Sequence, residues 1–258
     1  MTPGAPTEHT QPGGRFHTTH WSVIASSLDP ASGDRKAAEA LAQICRVYWR
    51  PVFAFICRKG FSVPDAQDLT QDFFVVILNG NLLERADRTR GRFRSLLLAA
   101  LSNFLADVQD RKQARKRGGH VQFVAWDEWA AEAPSQLSVP ESAIERWPAE
   151  MLFDVRWAAT LAEQALRRLQ GECESHGRRR VFDVLSGALT ADREEVSYPV
   201  MARELGVEEP KIKRLLHQMR QRYRELLRSE VAATIADPAD VDDELRHLCS
   251  VLAASANL

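Results

Sequence analysis

Apolar residues recur three and four positions apart through most of this chain, and that spacing limits what it can fold into. One series runs from Leu41 to Ile56, a second from Ala66 to Ile77 and a third from Leu97 to Val108. Side chains at this spacing share one face of an α-helix, whereas a half-buried strand needs strict alternation. No convincing alternating run separates the series, so we expect an all-α fold.

Turn and capping residues predict where the second of these helices lies. Gly60 is expected to end the helix before it, and Ser62 to act as N-cap, with Pro64 in the first turn and Asp65 three residues beyond the cap. The pair Asn79-Gly80 is expected to end the helix. Its predicted buried stripe consists of Ala66, Leu69, Phe73, Val76 and Ile77.

Residues 119–151 interrupt the helical pattern with three prolines, three tryptophans and several acids. Proline at such density disfavours regular structure, so we interpret this stretch as an acidic linker. Helical spacing resumes after it and continues to about residue 229. The sequence therefore predicts a disordered tail at 1–20, two helical domains at 21–118 and 152–229, the linker at 119–151 and an acidic extension at 230–258.

Basic and acidic blocks alternate along the chain, although its formal net charge is only −1. Ten Arg and Lys residues stand against three Asp between Arg85 and Arg117, and eight against four Glu between Arg203 and Arg228. Residues 126–154 carry seven acids and one arginine, and residues 230–244 carry six acids without Arg or Lys. The two basic blocks are suited to a phosphate-bearing partner.

The second basic block has the pattern of a helix-turn-helix. A short helix from Ser197 to Leu205 is followed by Gly206, which tolerates the left-handed backbone of a tight turn. Glu208 and Glu209 then open a second helix that is rich in cations. A basic helix after such a turn is suited to the DNA major groove. A solvated helical hairpin without a DNA partner is the alternative that spacing leaves open.

Two other polar patterns allow more than one interpretation. Asp65, Asp68 and Asp72 form an acidic stripe that suits a metal or acid–base chemistry, but a solvated or protein-facing surface is the more economical interpretation. Asn103 and Asp107 share a face of the third helix, which then becomes strongly basic. Cys173 and His176 have the spacing of two zinc ligands, but no second pair, nucleophile elbow or phosphate loop accompanies them. We expect no enzymatic activity, no metal and no cofactor.

Hydropathy and cysteine content indicate the compartment. The longest apolar runs have six residues, and a membrane-spanning helix needs about 20. The first 20 residues have no apolar core of the kind found in signal peptides. Four scattered cysteines are too few for a disulfide framework. We expect a cytoplasmic protein with no membrane partner.

Three segments resemble parts of bacterial RNA polymerase sigma factors of the extracytoplasmic-function group. Residues 65–74 (DAQDLTQDFF) resemble the polymerase-contacting helix of that family. Residues 101–107 (LSNFLAD) with the basic run after them look like its minus-ten reading helix. Residues 197–227 look like the fourth-domain helix-turn-helix that reads the minus-thirty-five element. The resemblance covers residues 36–118, similar to sigma domain two, and residues 152–229, similar to sigma domain four.

The resemblance implies a sigma factor that binds core RNA polymerase and promoter DNA and directs transcription initiation. An anti-sigma factor is a further partner that such a family allows. The implied polymerase contacts are Asp65, Asp68, Leu69, Gln71, Asp72 and Phe73. The implied minus-ten contacts are Asn103, Asp107, Arg111, Lys112 and Arg115. The implied minus-thirty-five contacts are Lys211, Lys213, Arg214, His217 and Arg220.

Two alternatives to this function remain open from the sequence. One is a helix-turn-helix regulator that binds DNA without polymerase, for which no dimerisation helix is evident. The other is a sigma-like protein that serves only as an interaction module. The acidic C-terminal extension also has two interpretations: it folds back on the helix-turn-helix and weakens DNA binding, or it forms a helix that completes the core.

Overall fold

The computed structural model of the protein describes residues 33–79, 92–114, 147–191, 194–235 and 237–256. The predicted tail at 1–20, most of the predicted linker and Arg115 lie outside these residues. Eight α-helices contain most of the described chain, and the described residues include no β-strand, which confirms the all-α prediction. The helices are α1 Gly33–Arg58, α2 Val63–Asn79, α3 Phe93–Ala114, α4 Ala149–Ser175, α5 Arg179–Leu185, α6 Tyr198–Leu205, α7 Glu209–Ala233 and α8 Val241–Ala256.

Helix α2 begins where its capping residues predict. Gly60 has a left-handed backbone (φ +92°) after the end of α1. The hydroxyl of Ser62 accepts a hydrogen bond from the backbone N–H of Asp65 at 3.3 Å, which satisfies a donor that the helix leaves free. The predicted buried stripe is wrong at one position, because Val76 is 45% exposed and Phe74 is buried in its place. Phe74 adjoins Phe73, and both rings lie inside the core.

The first apolar cluster is built from α1, α2, α3, the first half of α4, the end of α7 and the C-terminal helix. Aromatic rings fill much of it: Tyr48 of α1 makes an edge contact with Phe93 of α3, and Phe55 does so with Phe153 of α4. Edge contacts of this kind add stability beyond the apolar area that they bury. Trp157 of α4 is completely buried in the same cluster.

The second apolar cluster joins the second half of α4 with α5, α6 and most of α7. Helix α7 contributes Ile212, Leu216, Met219 and Leu226 to it. The segment between α5 and α6, which includes a short 3-10 turn at Ser186–Ala188, contributes Leu189 and Val196. Helix α4 therefore buries its first half in one cluster and its second half in the other.

Helix α8, in the acidic extension, packs on α4 and on the end of α7. Val241, Leu248 and Val251 bury their side chains in the first apolar cluster. A short turn with Asp237 as cap leads into the helix, and its carboxylate accepts a hydrogen bond from the backbone N–H of Ala239 at 2.9 Å. Helix α8 thus adds to the first apolar cluster, to which the predicted DNA-facing residues at the start of α7 do not belong.

Candidate nucleic-acid interface

A left-handed glycine forms the turn between α6 and α7. Gly206 has φ +66°, a conformation that costs a residue with a side chain roughly 1–2 kcal/mol. The backbone N–H of Val207 donates to the carbonyl of Ala202 at 3.0 Å, and that of Gly206 donates to the carbonyl of Arg203. These two bonds end α6 and turn the chain directly into the extended residue Glu208, after which α7 begins.

Helix α7 separates its apolar face from its polar faces clearly. Ile212, Leu216 and Met219 are buried against the second apolar cluster. Since an α-helix turns by about 100° per residue, Arg214, His217 and Gln221 lie on the opposite face. All three are exposed. An exposed face with a cation, an imidazole and an amide can donate hydrogen bonds to phosphates and to base edges.

Four of the predicted minus-thirty-five contacts are exposed within the first three turns of α7. They are Lys211, Lys213, Arg214 and His217. The ammonium of Lys213 lies 5.3 Å from the ring centroid of Tyr198, the first residue of α6. Within the described residues no ion pair engages any of these four side chains. The exposed Gln218 and Gln221 are missing from the predicted minus-thirty-five contacts. Their helical spacing from Ile212 places both away from the buried face and would have indicated them.

The fifth predicted contact, Arg220, is half-buried, and its guanidinium is bonded inside the protein. Its nitrogens donate to the carbonyl of Ala188 at 2.7 and 3.3 Å and to the carbonyl of Ala191 at 2.7 Å. Two residues further on, Arg222 donates to both oxygens of Glu172 in α4, at 2.7 and 2.8 Å. These bonds lower the pKa of the Glu172 carboxyl below its ordinary value. Arg220 and Arg222 thus hold α7 against the rest of the protein.

The acidic stripe of α2 has two exposed carboxylates, Asp65 and Asp68, and a third, Asp72, that is half-buried. Burial raises the pKa of Asp72 above its ordinary value, and the negative charge of Asp68 raises it further. An exposed stripe of this kind can bind a basic protein surface.

The apolar members of the predicted polymerase surface lie mainly inside the protein. Leu69 and Phe73 belong to the first apolar cluster, and the ring of Phe73 lies 5.5 Å from that of Phe104 in α3. Gln71 is half-buried. Leu69 and Phe73 therefore hold α2 against the core, while the aspartates of the same helix remain on its surface.

The predicted minus-ten residues lie on α3. Asn103 and Asp107 are exposed. Arg111 and Lys112 lie within the helix, although their side chains are outside the described part of the structure, and Arg115 is outside it altogether. At the start of α3, Arg94 is buried and forms ion pairs with Asp154 at 2.6 Å and with Glu244 at 3.1 Å. The surface that α3 offers to a ligand therefore lies beyond its first turn.

Across the described ranges, no three His, Cys, Asp or Glu side chains are grouped so as to hold a metal ion. None of the described helices combines the length and apolar character needed to cross a membrane. Comparison with protein-family models, with curated proteins and with solved structures finds no match for this chain.

Proposed function

We propose that this protein is a sigma factor that binds core RNA polymerase and directs promoter recognition and transcription initiation. In this proposal a sigma domain two-like unit at 21–118 and a sigma domain four-like unit at 152–229 act together, joined by the acidic linker. Two modest DNA contacts on one molecule raise the effective affinity of both. The protein acts in the cytoplasm and catalyses no reaction of its own.

The observation that carries the proposal is the exposed polar face of α7 directly after the turn at Gly206. Lys211, Arg214 and His217 are exposed there without an ion pair to another described residue. In helix-turn-helix proteins the start of the second helix enters the major groove, where arginine pairs with guanine and glutamine with adenine. The exposed Gln218 and Gln221 extend the same surface.

The acidic stripe of α2 favours a polymerase partner over a regulator that binds DNA alone. Carboxylates repel DNA phosphates, so an exposed row led by Asp65 and Asp68 is better suited to a basic protein surface. Leu69 and Phe73 support the proposal indirectly, because they fix α2 to the core and keep its acidic face outward.

Helix α3 supplies the proposed minus-ten surface. Asn103 and Asp107 are exposed and can form hydrogen bonds to the edges of bases. Opening the duplex costs a few kcal/mol for each unstacked base, which contacts to the released strand must return. The basic residues Arg111, Lys112 and Arg115 follow in sequence and would bind the phosphates of that strand.

Binding to purified bacterial core polymerase tests the polymerase part of the proposal. The wild-type chain should co-elute with core polymerase in size-exclusion chromatography, and Asp68→Arg should abolish co-elution by reversing a charge on α2. Asp243→Arg makes the same change at an exposed position on α8 and should leave co-elution intact. A chain that binds DNA but never binds polymerase would favour the alternative, a helix-turn-helix regulator that acts without polymerase.

A further inference from the structure

Arg220 differs from the other basic residues on the first half of α7 because its guanidinium is bonded to carbonyls within the protein. Its guanidinium donates three hydrogen bonds to two backbone carbonyls, those of Ala188 and Ala191. Lys211, Arg214 and His217 are exposed, whereas Arg220 is half-buried. Both acceptors belong to the segment between α5 and α6. Two of its three nitrogens, Nε and Nη2, are thus committed to bonds within the protein.

The segment that Arg220 holds leads directly into the first helix of the helix-turn-helix. Ala188 ends the short 3-10 turn after α5, and α6 begins at Tyr198. Leu189 and Val196 pack this segment into the second apolar cluster. A hydrogen bond from a charged donor is stronger than one between neutral groups. Arg220 therefore joins α7 to the chain that positions α6.

Helix α7 is itself fixed to the long helix α4. Arg222 binds Glu172 through two hydrogen bonds, and the hydroxyl of Tyr223 donates to the carbonyl of Ala162 at 3.1 Å. Arg220 extends this connection from α4 through α7 to the segment before α6. Arg220 thus adds a polar connection to the apolar contacts through which α6 and α7 already pack on each other.

We propose that Arg220 is a positioning residue, which sets α6 against α7 so that the exposed face of α7 can enter the major groove. This inference rests on the proposed DNA-binding function and refines it, because it removes Arg220 from the set of direct DNA contacts. Arginine suits this position better than lysine, because the fixed fork of a guanidinium reaches two carbonyls at once whereas an ammonium is a compact charge on a flexible stem.

Salt dependence of DNA binding distinguishes a positioning residue from a phosphate contact. The affinity for a fluorescein-labelled duplex of mixed sequence is measured over a series of salt concentrations. Log affinity falls with log salt concentration, and each lost phosphate contact makes this negative slope shallower by about 0.9. Lys211→Ala should reduce the slope by that amount. Arg220→Gln should weaken binding about tenfold, the size of one lost charged hydrogen bond, with the slope unchanged.

Arg220→Lys is the second variant, and it retains the positive charge. A phosphate contact would be preserved by lysine, so full affinity in Arg220→Lys would overturn the proposal. We expect its affinity to fall between those of the wild type and Arg220→Gln. A slope reduced by about 0.9 in Arg220→Gln would equally overturn it, because that result identifies a phosphate contact.

Amide hydrogen exchange provides a readout that does not depend on DNA. Exchange of residues 186–191 and 194–197 should accelerate in both Arg220 variants and stay unchanged in Lys211→Ala, which is matched in charge loss to Arg220→Gln. Unchanged exchange in Arg220→Gln would show that Arg220 does not hold the segment. If the wild-type chain fails to bind the duplex at low salt, the proposed function fails, and exchange alone then decides whether Arg220 tethers this segment.

Discussion

The Glu244 carboxylate is 1% exposed and lies between Arg92, which directly precedes α3, and Arg94 in the first turn of α3. Its oxygens lie 2.8 Å from Arg92 and 3.1 Å from Arg94. Arg94 also pairs with Asp154, and its guanidinium lies 5.1 Å from the ring centroid of Trp157. Burial alone would lower the pKa of Arg94, but the charges of Asp154 and Glu244 raise it above the ordinary value. The carboxylates of Asp154 and Glu244 therefore form one connected set of ion pairs with Arg92 and Arg94.

Glu244→Gln should destabilise the protein by roughly 3–5 kcal/mol, because it removes one partner from a buried ion group and leaves opposing charge uncompensated. Equilibrium unfolding in urea measures the change. Asp242→Asn on the same helix is the control: Asp242 pairs with the exposed Arg228, and exposed pairs contribute little to stability because solvent screens them. Equal losses in the two variants would show that the burial of Glu244 is unimportant.

The backbone at Gly206 allows a test that involves no side-chain contact. A Cβ added there would meet no atom within 4 Å, so any loss in Gly206→Ala comes from the left-handed φ of +66°. We expect a loss of about 1 kcal/mol in the free energy of unfolding. Gly171→Ala also meets open space, but within helix α4. There alanine should stabilise by about 0.5–1 kcal/mol. Effects of the same sign in thermal denaturation would contradict this account of the turn.

The acidic stripe of α2 makes the stability of the fold depend on pH through Asp72. Because burial and then Asp68 raise its pKa in the folded state, protonation of Asp72 favours folding. The associated stability is complete below the unfolded pKa and is lost as pH rises through the folded pKa. Asp68→Asn should lower the pKa of Asp72 without restoring its ordinary value, since burial is the larger cause. Carboxyl NMR titration measures this change, and a pKa of Asp72 that does not move would show that the two carboxylates do not interact.

At the scale of elements, local signals in the sequence predicted where a helix begins or ends better than which of its side chains are buried. The hydroxyl of Ser62 caps α2 as expected, and Gly206 adopts the expected left-handed turn. Both depend on neighbouring residues alone. The exposure of Val76 and the burial of Phe74 depend on which side of α2 meets α1 and the rest of the core. Helical spacing gives the width of an apolar stripe but leaves its edge residues undecided.

The environment of Arg220 was beyond sequence reasoning for a similar reason. Its acceptors lie about 30 residues earlier in the chain, at Ala188 and Ala191. A basic residue on a basic helix gives no local sign that its partners are backbone carbonyls. The spacing of Arg214, His217 and Gln221 relative to Ile212, in contrast, is a local property, and it could have identified the exposed face completely.

The C-terminal helix should be needed for stability. A chain ending at Ala236 loses Val241, Leu248 and Val251 from the first apolar cluster, together with the charge of Glu244. Each buried aliphatic side chain contributes about 1.5–3 kcal/mol, so the melting temperature should fall markedly. The DNA affinity of the molecules that remain folded should stay unchanged. A truncated chain with an unaltered melting temperature and a higher DNA affinity would instead establish the extension as a mask over the helix-turn-helix.

On the scale of the whole molecule, two helices connect the apolar clusters. Helix α4 contributes Trp157 to the first cluster and Leu169 to the second, and α7 contributes Val231 to the first and Ile212 to the second. Because each of these helices is continuous, a shift of one end also moves the other end. The surfaces of α2 and α7 are thus linked through helix packing, an arrangement that composition and spacing could not predict because it depends on long-range contacts.

Transcription by purified bacterial core polymerase on fragmented genomic DNA is the most direct test of the proposed sigma-factor function. Addition of the wild-type protein should produce discrete run-off transcripts that core polymerase alone does not make. Asp68→Arg should abolish these transcripts, and Asp243→Arg should preserve them. If no new transcript appears while the protein still binds duplex DNA, the result contradicts a sigma factor and identifies a DNA-binding protein that works without polymerase.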